Sequence, residues 1–197
     1  MPGNIWVLAE HWRGQVSEIT YELLALGREL ADALGVSLEA VLLGHDVKGL
    51  ASTLAADAVL CGDDPGLAEP TAEAHCAALA ALVKDKGPGA VLLPLSNVMG
   101  DVAGLLPAEL GAPLVNSCSD VRVADGRLEA RCLLYGGKLN ATVAVDCQAA
   151  LLGILPGVRP ADQGRAATAA PVEDVAARVP AEPRVRFGEY VEPEAGD

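Results

Sequence analysis

Ile5-Trp6-Val7-Leu8-Ala9, an unbroken apolar run that stops at Glu10-His11, decides how this chain is read. A short run without polar alternation fits a strand buried on both faces, as in a parallel sheet. Ser17 follows, a residue whose hydroxyl can accept N–H groups of a first helical turn. Ile19, Leu23, Leu26, Leu30 and Leu34 then recur at helical spacing, and Gly35 sits where a helix ends in the left-handed conformation. A buried strand followed by an amphipathic helix predicts a crossover to a parallel neighbour.

The pattern repeats along the chain. Ala40-Val41-Leu42-Leu43 predicts a second strand, with Asp46 opening a short helix through Leu54. Ala58-Val59-Leu60-Cys61 predicts a third, ended by the turn cluster Gly62-Asp63-Asp64-Pro65-Gly66. Pro70 suits the first turn of a helix with Cys76, Ala80 and Val83 on one face, which Gly87-Pro88-Gly89 breaks. Ala90-Val91-Leu92-Leu93 is the fourth strand, and a helix over 101–110 contains Pro107, near its start or at a kink. After Leu114 the pattern changes. Val121–Val123, Leu128–Leu134, Ala141–Val145 and Ala150–Leu155 are strand-like, with a hairpin signal at Ala124-Asp125-Gly126. The expected fold is α/β: a three-layer, open, mainly parallel sheet with helices on both faces and added antiparallel strands at one end.

Composition narrows the function classes. The chain has 197 residues, 51% of them hydrophobic but only 3% aromatic, with 21 glycines. That suits one domain with an appendage and close helix–sheet packing. Lys plus Arg minus Asp plus Glu is 14 − 27 = −13. No basic–aromatic cluster offsets this surplus, which excludes a nucleic-acid surface and favours solubility or a basic partner. The apolar runs fall short of a membrane span, and no basic leader precedes the first of them, so a cytoplasmic location is expected. Cys61, Cys76, Cys118, Cys132 and Cys147 are scattered with no Cys-x-x-Cys pair, the pattern of reduced, mostly buried thiols.

Open parallel sheets bind ligands beyond the carboxyl ends of their strands, where strand order reverses. Glu10-His11 leaves the first strand there, and Ser96-Asn97, ahead of Gly100-Asp101, leaves the fourth. Glu10, Ser96, Asn97 and Gly100 are therefore candidate nucleotide-binding residues. Helix capping by Ser96 and Asn97, and a plain turn leading into a helix at Glu10-His11, are the alternatives. Neither glycine-rich phosphate motif is present. His11, His45 and His75 look too few and too dispersed for a metal site or a triad, so no metal is expected. His75 is expected at a helix surface or interface and His45-Asp46 as a cap. No catalytic constellation is visible. Arg131 lies inside an apolar strand that ends Tyr135-Gly136-Gly137-Lys138; a half-buried arginine there would need a partner, while a structural hairpin is the simpler reading.

Taken together, these segments resemble the amino-terminal domain of the electron-transfer flavoprotein α-subunit and its nitrogen-fixation relatives. The resemblance rests on five stretches in order: Ile5 to His11, Pro94 to Asp101 continuing through Leu106-Pro107-Ala108-Glu109-Leu110, Asn116 to Val121, Arg131 to Lys138, and Val158-Arg159-Pro160. It implies an adenine-nucleotide-binding type of α/β fold, a β-type subunit as partner and electron transfer through FAD. It implies that the FAD rests mainly on a carboxy-terminal domain, whose Ser-Gly-Gly-Arg-Gly-type loop does not occur here, and that any structural AMP belongs to the β-type subunit. Residues 1–158 are then expected to form the domain and 159–197 a linker and tail. The flavin domain would be separate or missing, the chain being either cut from a longer subunit or encoded apart from it. Arg131 joins the candidate cofactor residues through this resemblance.

The expected role is a non-enzymatic scaffold in electron transfer; an independent AMP- or ATP-binding domain is the alternative. Residues 159–183 have too few large apolar side chains for a core of their own and should cross the domain surface or leave it, with a turn of helix possible at Asp174–Val179. Val185, Phe187 and Val191 need cover from the domain, a second copy of the chain in a homodimer, or another partner.

Overall fold

The computed structural model describes residues 3–147 and 149–191. In chain order the elements are β1 (Ile5–Ala9), β2 (His11–Trp12), β3 (Gln15–Val16), α1 (Glu18–Leu34), β4 (Leu38–Gly44), β5 (Ala58–Asp63), α2 (Ala72–Lys86), β6 (Ala90–Pro94), α3 (Gly100–Leu110), β7 (Leu114–Ala124), β8 (Arg127–Leu134), β9 (Leu139–Val145), β10 (Ala150–Ile154) and β11 (Val172–Asp174). Short 3-10 turns cover Lys48–Thr53, Pro65–Leu67 and Ala161–Gly164. The main sheet has the order β11-β5-β4-β1-β6-β10-β7-β8-β9, and β2-β3 form a separate small hairpin.

β1, β6 and β10 are buried at every position, as their continuous apolar runs require. Alternate residues serve two cores. Ile5, Val7 and Ala9 pack with Leu23, Leu26 and Leu30 of α1 on one face of the sheet. Trp6 and Leu8 pack with Leu79, Leu82 and Val83 of α2 and with Val102 and Leu106 of α3 on the other. Each fully buried Leu or Ile contributes about 1.5–3 kcal/mol of transfer free energy, so these two layers dominate the stability. Gly27 permits the close approach of α1: a Cβ there would lie 2.7 Å from Leu38 Cδ1 and 3.2 Å from Val7 Cγ2.

Three local expectations change. Ser17 occupies the cap position of α1, but its hydroxyl makes no capping bond. Its backbone N–H donates to Glu10 O at 2.9 Å, and it is Thr20 Oγ1 that exchanges hydrogen bonds with the Glu10 backbone. Val47, not Asp46, precedes the 3-10 turn, while the Asp46 N–H donates to Asp63 Oδ1 at 3.1 Å. Pro107 lies well inside α3.

The carboxy-terminal half diverges more. β7 is a single strand of 11 residues, beginning at Leu114 rather than Val121. β7, β8 and β9 form the expected antiparallel end of the sheet. β10, however, inserts between β6 and β7, parallel to both. Its all-apolar sequence suits that doubly covered place.

The segment read as linker crosses the surface and packs there. Gly164 sits so close to Tyr21 of α1 that a Cβ would collide with the Tyr21 carbonyl. Arg159 reaches both Glu29 of α1, with Nη2 at 2.8 Å, and Asp120 of β7, with Nη1 at 3.0 Å. β11 (172–174) then adds to the edge of β5 in parallel, and the turn of helix expected at 174–179 does not form. The open β5 edge offers backbone partners that outweigh a weak local helical preference, and ion pairs of Lys86 with Glu173 and Lys48 with Asp174, both at 2.7 Å, hold it. A division at 158/159 thus does not coincide with the end of the packed structure. Of the tail read as 159–197, residues 192–197 lie outside the described residues.

Candidate functional site

Strand order reverses between β1 and β6, so a ligand crevice would open beyond Ala9 and Pro94. The chain closes it with its own side chains. The Ser96 hydroxyl donates to a Glu10 carboxylate oxygen and accepts the N–H groups of Val98 and Met99, each at 3.0 Å. Glu10 is buried, and the backbone bonds to Thr20 tie it to α1. Of the four residues expected around a nucleotide, the structure therefore brings together Glu10 and Ser96, in a clasp across the switch point. Asn97 is exposed, and Gly100 begins α3 on the wall of a groove shared with residues 184–189.

Arg131 is elsewhere, on β8, three strands beyond β6. Strand alternation buries its neighbours Ala130 and Cys132 and turns Arg131 outward, opposite Asp120 and Thr142 in the register. It is exposed, which corrects the half-buried arginine expected there. Gly136 (φ 65°) and Gly137 (φ 83°) turn the hairpin, where any other residue would be strained.

The cavity at this rim lies to the β4–β5 side of the switch point. It has a volume of about 300 Å³ and is bordered by all three histidines of the chain, with Asp46, Glu69 and Tyr190 among its other walls. Separation in sequence had suggested dispersal; parallel strands gather the residues that follow each strand at one rim. His11 Nε2–H donates to Leu43 O at 2.8 Å. His75, expected at a helix surface or interface, is 1% exposed. Its Nδ1–H donates to Thr71 O at 3.0 Å, and burial lowers its pKa. The small β2-β3 hairpin, unforeseen in the sequence, supplies Trp12 and Arg13 to the same wall.

Residues 184–190 fold back toward this rim without forming a strand. The Glu73 carboxylate of α2 accepts the N–H groups of Arg184 at 2.7 Å and Val185 at 3.1 Å, and Arg184 Nε at 2.7 Å. Tyr190 donates to Glu69 and accepts Trp12 Nε1–H at 3.2 Å. Its ring lies 4.7 Å from that of Phe187. Four of the five cysteines are buried and Cys147 is half-buried. Burial raises Cys76 to about 11, so this thiol stays protonated.

The sequence profile of the electron transfer flavoprotein domain matches residues 5–180. The chain belongs to this family. It is similar to the protein named FixB of Clostridium saccharobutylicum, 33% identical over 160 residues, covering 79% of this chain and 48% of that one. It is also similar to the electron transfer flavoprotein subunit alpha of Clostridium acetobutylicum, at 31% over 161 residues, 79% of this chain and 48% of the relative. FixB of Azorhizobium caulinodans is 35% identical over 147 residues, 71% of this chain and 40% of the relative. The chain thus spans about half the length of the relatives it matches.

FAD, the family's cofactor, does not fit the rim described above. A cavity of about 300 Å³ is at the low end for a drug-sized ligand, and a dinucleotide is larger. Asp46 and Glu69 in its wall would repel a pyrophosphate, and the switch point itself is filled by Glu10 and Ser96. Among the described residues, no helix is long and apolar enough to cross a membrane.

Proposed function

We propose that this chain is a scaffold module of an electron-transfer flavoprotein, docking a β-type subunit and supporting flavin-mediated transfer by a domain that carries FAD elsewhere. One observation carries the docking: the face of the β7–β9 ribbon that ought to be buried is uncovered at its outer end. Strict alternation puts Leu128, Ala130, Cys132 and Leu134 of β8 opposite Val145, Val143, Ala141 and Leu139 of β9. The inner end of this face belongs to the α1-side core. At the outer end Leu134 is 42%, Leu139 55% and Val143 37% exposed, with Tyr135 beside them in the turn.

An apolar face that continues a core and ends in solvent fits a docking surface. Relatives named subunit alpha, and one in Anaerotignum propionicum named acryloyl-CoA reductase electron transfer subunit beta, support a multi-subunit setting. FAD would be held outside the residues described, AMP in the partner subunit, and the assembly would be cytoplasmic.

Purification with and without a β-type subunit tests this reading. The chain alone should be colourless and should co-elute with the β-type subunit. Stoichiometric flavin absorbance on the chain alone would overturn the scaffold role, and co-elution of two copies of the chain without the β-type subunit would reassign the face to a homodimer.

A further inference from the structure

Two cysteines far apart in the sequence face each other across β7 and β8. Cys118 and Cys132 are register partners in that antiparallel pair. Regular alternation would keep them apart: Val121 points into the α1-side core, so Cys118, three residues before it, would point to the opposite face. β7 is bulged between Cys118 and Asp120, and the extra residue turns Cys118 back to the face of Val121 and Cys132. Both thiols are buried in the α1-side core.

The pair also has the spacing that a bond needs. The Cys118 carbonyl accepts the N–H of Leu155, just past β10, at 2.9 Å, so its backbone groups point away from β8. Cys118 and Cys132 therefore form a non-hydrogen-bonded pair, the kind whose Cα atoms approach to about 4.5 Å. A disulfide accepts Cα separations from about 4.4 Å upward. The two thiols are free and within hydrogen-bonding reach of each other. Burial, with Cys132 alongside, raises the pKa of Cys118, so the closed fold keeps this thiol protonated and slow to react.

We propose that Cys118 and Cys132 form a reversible disulfide site, closed by low-molecular-weight disulfides when the outer end of the β7–β9 ribbon opens locally. Cys132 attacks first, because it lies two residues from the exposed Leu134 and on the same face. Having released its proton to water, its thiolate bonds to one sulfur of the reagent, whose S–S bond breaks and one thiolate leaves. The Cys118 thiolate, its proton likewise released, then attacks the Cys132 sulfur and expels the second reagent thiolate. The two protein sulfurs together lose two electrons, the reagent gains them, and the two released protons go to its two thiolates. The product clamps β7 to β8 beside the uncovered end of the ribbon, and an excess of free thiol reverses it.

The test uses the full chain, reduced, then equilibrated in mixtures of reduced and oxidised glutathione, quenched with acid, alkylated and digested with trypsin. Arg122, Arg127 and Arg131 lie between the two cysteines, so the bond shows as two joined peptides in the mass spectrum. Joined Cys118 and Cys132 peptides should be the main crosslink, should grow with the oxidised fraction and should vanish with dithiothreitol. Urea below the unfolding midpoint should speed their formation, since opening limits the reaction. Cys147→Ser removes the half-buried thiol outside the pair and should leave the crosslink unchanged. Cys118→Ala should leave Cys132 as a glutathione adduct; should that variant fail to fold, the wild-type peptide map decides by itself. Both cysteines alkylated at every glutathione ratio, a crosslink to Cys147 in place of the pair, or a crosslink that forms only above the unfolding midpoint would each overturn the proposal.

Discussion

Replacing Leu139 with Asp should abolish docking while leaving the fold intact. Leu139 lies at the outer end of β9, opposite Leu134, and is 55% exposed. Full burial of a leucine contributes about 1.5–3 kcal/mol, so covering the remaining half beneath a partner contributes roughly 1–1.5 kcal/mol. Leu139→Ala should therefore weaken the complex by about five- to ten-fold. Asp adds an unpaired carboxylate in a desolvated contact, which costs several kcal/mol more and should lower affinity by more than about a hundred-fold. The isolated chain should hardly notice, since exposed edge substitutions stay within about 0.5 kcal/mol. Asn140→Asp is the control: it introduces the same charge one residue along, on the opposite face of β9. Affinities for the β-type subunit by calorimetry, with melting curves for each variant, separate the outcomes. Wild-type affinity in Leu139→Asp, or equal damage from Asn140→Asp, would refute the assignment of this face.

Other expectations follow from the packing and charge of the domain. His75 is held neutral by burial, so its folded pKa lies below the value of about 6.5 it has when unfolded. The unfolded chain then takes up the proton first: this group leaves stability flat above that pH, and lowers it by up to about 1.4 kcal/mol per pH unit as pH falls from there toward the folded pKa. Urea titrations between neutral and acid pH should show that component vanish in His75→Leu. Gly164→Ala forces a Cβ into the Tyr21 carbonyl and should destabilise by about 2 kcal/mol or more, read as a lower urea midpoint. A midpoint like wild type would mean that residues 161–164 do not pack on α1. Phe187 rests on Tyr190 yet remains 41% exposed. Phe187→Ser should shift the melting temperature little and weaken partner or self-association; a large drop with association unaltered would make the tail part of the core.

The parallel core was legible because its strands are continuous apolar runs and its first helix repeats leucine at helical spacing, signals carried by the local chain. β1, β4, β5, β6 and α1 appear where the residues placed them, and the ordered motifs from Ile5 to Arg159 identified the family. The insertion of β10 between β6 and β7 was not legible, because Ala150–Ile154 reads identically at any buried position in a sheet. The pairing of β11 with β5 escaped for a related reason: Val172–Asp174 has little strand preference and becomes a strand only because an open edge lies beside it. Glu10 and Ser96 could be named from their places after two strands, but whether they would line a crevice or close it depended on the distance between the strand ends. His75 and His45 gave opposite lessons from one residue type, a buried imidazole where a surface or interface one was expected and a carboxylate-bound one where a cap was expected. Sequence alone determined the layers, the parallel core and the family, because hydrophobic periodicity is a local property. Only the tertiary structure decided which residues meet at the rim and which apolar face is left bare, because those depend on strand order, and strand order is set by contacts between segments far apart in the chain.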